Sequence, residues 1–336
     1  MRYRMALMAL CVSFASSAHA YYPRKEAIQA ISLDVKALVN APLSKTYKLP
    51  EKLTEFLLNY KHTKRVFDVI QLKEPLKTIH SIFLTNSDFK GDGVFIRAQG
   101  DWNKGEILNR AGKFKKSQVE VTFHRKGGQT KEIITIKMGG PNPLWMTFLD
   151  DKTLIVATIE EYVTSAIDQK IAQSGGAIPP KPIYALPKLV ASGMKENKKV
   201  KPFLWWAGIV NQELKDLISA QTKDKTLAPQ LKYYTGYLAM VPGTVDAKIP
   251  DVKGRLRVQT SHDKAAMSLT RLALSARGLL LWAASSDPKV LPFAREMLGQ
   301  KGLQIKNPPT DRAMEMTFQM SANAIKALVD LIPEEK

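Results

Sequence analysis

Between Pro143 and Gly176 the apolar positions change their period once, and the change marks a boundary between strands and a helix. Leu144–Leu149 and Leu154–Thr158 are short runs of β-branched, aromatic and aliphatic residues, with Asp150, Asp151 and Lys152 as turn formers between them. The pattern predicts strand, tight turn, strand. Thr158 with Glu161 three residues on reads as a capping box, in which each side chain satisfies the other's orphan backbone N–H. Ile159, Tyr162, Val163, Ala166 and Ile167 then recur at helical spacing. Glu160 and Glu161 stand in the first turn and Lys170 near the end, as the helix dipole favours, and Gly175 and Gly176 stop the helix.

Similar patterning precedes and follows this stretch. In the first half, residues 30–35 read as a strand, and Leu53, Phe56 and Leu57 share a helical stripe. Residues 79–85 and 94–99 read as strands, 104–113 as a short helix, and 119–124 and 133–137 as strands. In the second half, residues 203–210 match the opening strand and 213–219 the first helix. Residues 234–241 match 79–85, and Leu256-Arg257-Val258-Gln259 stands opposite Ile96-Arg97-Ala98-Gln99. A long helical region over 262–285 follows, then a helix near 288–298, strands at 303–306 and 314–320, and a last helix capped by Ser321. Leu269–Ala284 is short and carries Arg271 and Arg277, so it reads as a core helix with two snorkelling arginines rather than a span.

Strand–helix–strand–strand–helix–strand is the order of a ferredoxin-like plait. The expected fold class is therefore α+β: two tandem ferredoxin-like (αβ-plait-like) repeats with antiparallel sheets, the first with extra strands. Residues 174–182, Ser-Gly-Gly-Ala-Ile-Pro-Pro-Lys-Pro, combine glycine flexibility with proline stiffness. The expected organisation is a first repeat over 21–174, a linker over 175–182 and a second repeat over 183–336.

The strings FLDDKTLIVATIEEYV and FQMSANAIKALVDLIP, on a doubled layout behind a signal-like segment, resemble a family of uncharacterised exported proteins of planctomycete-type bacteria. Its members carry a similar LDDKTLVVA hairpin with a following helix. The resemblance covers nearly all of the chain after residue 20 and implies export and a doubled fold. It implies no activity.

Residues 1–20 read as a targeting segment: Arg2 and Arg4 form a basic start, residues 5–14 an apolar run, and Ala18-His19-Ala20 a cleavage site. Cleavage after Ala20 would leave an exported chain beginning at Tyr21, periplasmic or extracellular, with no transmembrane segment. That chain loses Cys11, the single cysteine, and with it disulfide, thiolate-metal and thiol chemistry. A chain of this length buries enough apolar surface without disulfides. The formal net charge of +19 falls to +17 with the loss of Arg2 and Arg4. Such an excess points to anionic partners: an acidic polysaccharide, an anionic lipid headgroup, or nucleic acid met outside the cell.

Catalytic signatures are weak. The chain lacks G-x-S-x-G, and four Ser-x-x-Lys matches occur without S-D-N or K-T-G. His62, His80, His124 and His262 show no metal-ligand spacing. Asn86–Gly93 resembles a calcium loop, but Lys90 takes a ligand position and no closing glutamate follows, so a hairpin turn is expected. Asp150/Asp151 and Glu160/Glu161 have turn and capping roles already, and Gly127-Gly128 and Gly139-Gly140 lack the context of a phosphate loop. No enzyme centre, metal or cofactor is expected.

Alternation places Arg255, Arg257 and Gln259 on the strand face opposite Leu256 and Val258, and Phe95, Arg97 and Gln99 likewise in the first repeat. A basic, aromatic open face is used by single-strand RNA readers, but no RNP-type aromatic motif is present and export removes most RNA. The two faces could instead pack on each other, burying Trp145 and Phe95. Candidate anion-binding residues are Arg97, Arg255, Arg257, Lys113, Lys115 and Lys116; further clusters are Lys61/Lys64/Arg65 and Lys195/Lys198/Lys199/Lys201. The leading expectation is an exported, non-enzymatic binding or scaffold protein of the envelope that holds an anionic partner. The alternative is a carrier of a lipid or other apolar ligand between the repeats, lined by Trp145, Trp205, Trp206 and Trp282. An enzyme assembled from scattered residues comes third.

Overall fold

A computed structural model describes residues 27–48, 50–51, 54–55, 61–70, 74–87, 93–138, 143–174, 200–222, 226–244, 248–285, 290–299, 302–308 and 311–330; the side chains of 61–65, 172–174, 221–222 and 327–330 are excepted. The targeting segment 1–20, the linker 175–182, the Leu53/Phe56/Leu57 stripe, the centre of the calcium-like loop, the side chains of Lys61, Lys64 and Arg65, and Lys195, Lys198 and Lys199 lie outside the described residues. The protein is α+β, with all described pairings inside its two units antiparallel. One unit is Met1–Val39 with Pro50–Lys188; the other is Asn40–Leu49 with Leu189–Lys336.

The first unit holds β1 (Gln29–Asp34), α1 (Val35–Asn40), α3 (Lys61–Ile70), α4 (Pro75–Thr78), β2 (Ile79–Asn86), β3 (Val94–Gly100), α5 (Lys104–Ala111), β4 (Val119–Lys126), β5 (Gln129–Ile136), β6 (Leu144–Asp150), β7 (Thr153–Ala157) and α6 (Glu160–Ser174); α2 (Pro42–Thr46) belongs to the second unit. Its strands run β1-β2-β3-β7-β6-β5-β4. The β4–β5 hairpin closes on Gly127 and Gly128 at φ 55° and 74°, the left-handed pair that a two-residue type I′ turn requires. The β6–β7 turn is held by the Lys152 N–H donating to Asp150 Oδ1. Helices cover both faces. On one, Val35, Val69, Ile70, Ile107 and Ala111 pack against Ala98, Ile134, Ile136, Met146, Phe148 and Leu154. On the other, Tyr162, Val163, Ala166 and Ile167 of α6 pack against Ile133, Leu149, Ile155 and Ala157, with Phe95 and Trp145 at the margin. Each fully buried aliphatic side chain contributes about 1.5–3 kcal/mol by leaving water.

The second unit holds β8 (Leu204–Ile209), α7 (Gln212–Thr222), a 3₁₀ turn (Ala228–Gln230), β9 (Leu231–Val241), β10 (Asp251–Thr260), α8 (Asp263–Ala284), α9 (Leu291–Leu298), β11 (Leu303–Lys306), β12 (Ala313–Met320) and α10 (Ala322–Asp330). Its strands run β8-β9-β10-β12-β11. Helix starts follow local chemistry: Asn211 Oδ1 accepts from the Leu214 N–H, His262 Nδ1 from the Ala265 N–H, and Ser321 Oγ from the Ala324 N–H. The inserted α2 segment buries Leu43 and Ser44 and is tied here by Tyr47 Oη donating to Ala322 O at 2.8 Å. Trp206 lies over Gly236 and Phe318 over Gly254, so close that an added Cβ would stand 2.2 and 2.1 Å from the rings.

Two expectations need correction. A ferredoxin-like plait interleaves its strands, whereas here the first two strands of each unit, joined through helix, are direct antiparallel neighbours: β1 with β2, β8 with β9. The reason is visible at β8. The chain leaves through α7 and returns to the same strand end, where the Val210 N–H donates to Lys232 O; a plait needs return at the opposite end. Nor is the Phe95/Trp145 face open: α6 of the same unit covers that part of it.

Candidate binding surface

The six basic candidates fall into three settings. Arg97 is half-buried on β3 with its guanidinium 5.8 Å from the centroid of Phe83, and Gln99 on the same face accepts from Ser81 Oγ. Arg255 and Arg257 share a face of β10, as alternation requires. Each meets a carboxylate: Arg255 donates through Nε and Nη2 to Glu315 Oε2 at 2.9 and 2.7 Å, and Arg257 Nη2 lies 3.0 Å from Asp311 Oδ2. Gln259 beside them donates to the Asp311 carbonyl. Local neutralisation leaves these arginines holding β10, β12 and the 311–312 turn together.

Lys113, Lys115 and Lys116 are exposed on the turn between α5 and β4. The turn is ordered by its own backbone, with the Gln118 and Val119 N–H groups donating to Lys115 O, and by Lys137 Nζ donating to Lys116 O. Lys137 also reaches Glu120 at 3.7 Å. Three cations thus present on a short ordered turn, which suits multivalent contact with anions.

Other charged groups staple elements. Asp168 of α6 accepts from Lys126 and meets His124 Nε2 at 2.9 Å. Burial works to raise the Asp168 pKa, but Lys126 and His124 more than offset it and hold the carboxyl below its ordinary value. Asp150 is likewise held low against burial by Thr153, Lys170 and the Lys152 N–H, and Glu132 by its own backbone N–H and Lys104. Thr158 Oγ1 accepts from the Val94 N–H, joining the start of β3 to the end of β7. Among the described residues no group of three His, Cys, Asp or Glu side chains is placed to hold a metal.

The residues missed by sequence reasoning are on α8. Instead of a core helix, α8 buries only Ala265 and Ala266, while Met267, Leu272, Leu274, Leu279, Leu280 and Trp282 stand exposed, Trp282 at 76%. The helix is seated against β10, β11, β12 and α9, with Leu269 packed beside Val210, Leu231, Val258 and Tyr234, whose phenol burial pushes up to about 12. Among the described residues no helix is long and apolar enough to cross a membrane. Of the tryptophans named for an apolar pocket, Trp205 is buried, Trp206 lies on Gly236, and Trp282 is exposed. Trp145 belongs to the α6 cluster of the first unit. No protein-family model, curated protein or solved structure matches the chain.

Proposed function

We propose that the chain is an exported, non-enzymatic binding or scaffold protein of the periplasm or envelope that holds an anionic partner through basic surface. The observation that carries this reading is the ordered turn bearing exposed Lys113, Lys115 and Lys116 in a chain of net charge +19. Export rests on the Arg2/Arg4, apolar and Ala18-His19-Ala20 pattern, and the resemblance to exported proteins of planctomycete-type bacteria supports it. The matching strand orders support a duplicated ancestral unit, extended in the first copy by the β4–β5 hairpin. In those orders β3 and β10, which carry IRAQ and LRVQ, hold equivalent places.

Binding of the chain from Tyr21 to a heparin-like polymer and to anionic vesicles across a salt series tests the reading. The expected result is a steep loss of affinity with salt, with a shallower slope once Lys113, Lys115 and Lys116 are changed to Gln. Absence of binding to both probes at low salt would overturn it.

A further inference from the structure

We propose that the outward face of α8 docks on the surface of an anionic lipid bilayer. This names a partner for the anionic-partner reading and rests on it. The helix has 22 residues, about 33 Å at 1.5 Å per residue. Lys264, Arg271, Ser275 and Trp282 fall on one stripe at helical spacing, all exposed. Met267 and Leu274 form a ridge along one side of that stripe, Leu272 and Leu279 along the other, all four exposed. In the last two turns Leu280 is also 56% exposed, although it lies toward the side that seats the helix earlier.

The chemistry selects one occupant. A helix lying in a membrane interface places leucines and tryptophan at the acyl boundary and lets basic side chains snorkel to phosphate. Arg277 turns inward and donates to Leu303 O, but Lys264 and Arg271 stand exposed on the outward stripe, and these two cations complement anionic headgroups. A second copy would set two cationic helices against each other between chains of net charge +19, which disfavours a symmetric pair. An acidic polysaccharide has no counterpart for five exposed aliphatic side chains and a tryptophan. A free apolar ligand needs a concave site, and this face is the convex side of a helix.

The test uses the chain from Tyr21 with phosphatidylcholine vesicles, pure or mixed with phosphatidylglycerol, read by co-sedimentation and by quenching from brominated acyl chains. The expected result is binding to the mixed vesicles, with quenching that Trp282→Phe removes. Leu279→Ser with Leu280→Ser should weaken binding by about tenfold or more while the thermal unfolding curve stays in place. Arg271→Gln should weaken it about fivefold at low salt. Binding to mixed vesicles without Trp282 quenching, and unaffected by the leucine pair, would overturn the α8 proposal and leave the basic turn as the carrier. Retention of heparin-like polymer binding without vesicle binding would do the same. A dimer in light scattering that the leucine pair dissolves would assign the face to a second copy instead. Failure with both polymer and vesicles would sink the parent reading too.

Discussion

Five strands in each unit, β1-β2-β3-β7-β6 and β8-β9-β10-β12-β11, lie in a like order, yet the units dispose of their apolar residues in opposite ways. Among the described residues the largest fully buried side chains, Ile134, Ile136, Met146, Leu149, Ile155, Ile167, Val35, Val69, Val163 and Thr147, all belong to the first unit. The large exposed ones are, apart from Phe123, all in the second: Leu217 on α7 and six on α8. Helices cover the strands of the first unit from both sides, whereas α8 buries two alanines and turns Leu272, Leu274, Leu279 and Leu280 outward. One topology thus supports a packed body and a surface with apolar area to spare, and large exposed patches mark interaction sites.

Breaking the packed unit gives the largest effect. Ile155→Ala or Ile167→Ala should cost about 2–5 kcal/mol of stability in chemical denaturation, because each leaves a cavity between sheet and α6. Gly254→Ala in the second unit comes next: its Cβ would meet the Phe318 ring at 2.1 Å, and about 1–3 kcal/mol should be lost unless Phe318→Leu is introduced with it. Glu315→Gln should cost about 1–2 kcal/mol by leaving Arg255 against a neutral partner, with Arg255→Met recovering part of the loss in a double-mutant cycle. The smallest effect is at the acid edge. Asp168 and Asp150 have folded pKa values below their unfolded ones, so their contribution is complete above the unfolded value, about 3.9, and fades as pH falls through the lower folded values. Asp168→Asn should therefore lower stability at neutral pH by about 0.5 kcal/mol and narrow the gap below pH about 4, in a pH series of melting curves.

The elements were legible because strand alternation and helix spacing are local: β6, β7 and α6 follow from the apolar pattern of 144–171, and the Ser321 cap from one residue. Strand order was not. The Val210–Lys232 bond that turns a plait into neighbouring antiparallel strands joins residues across α7, and nothing in either segment's period encodes it. The ion pairs of Arg255 and Arg257 depend on β12 and the turn before it, more than 50 residues later in the chain. Two of the six candidate residues were therefore visible as charge without their partners. For α8 the clue lay in the sequence: Leu272, Leu274, Leu279 and Leu280 fall on more than one side of the helix, beyond the stripe that Ala265, Ala266 and Leu269 seat.

The contrast between the units is tested most directly by measuring stability and vesicle binding on the same Leu279→Ser, Leu280→Ser protein. Unchanged denaturation together with loss of binding to phosphatidylglycerol-containing vesicles is the predicted result. A large loss of stability with binding intact would place those leucines in the core of the second unit and contradict the account.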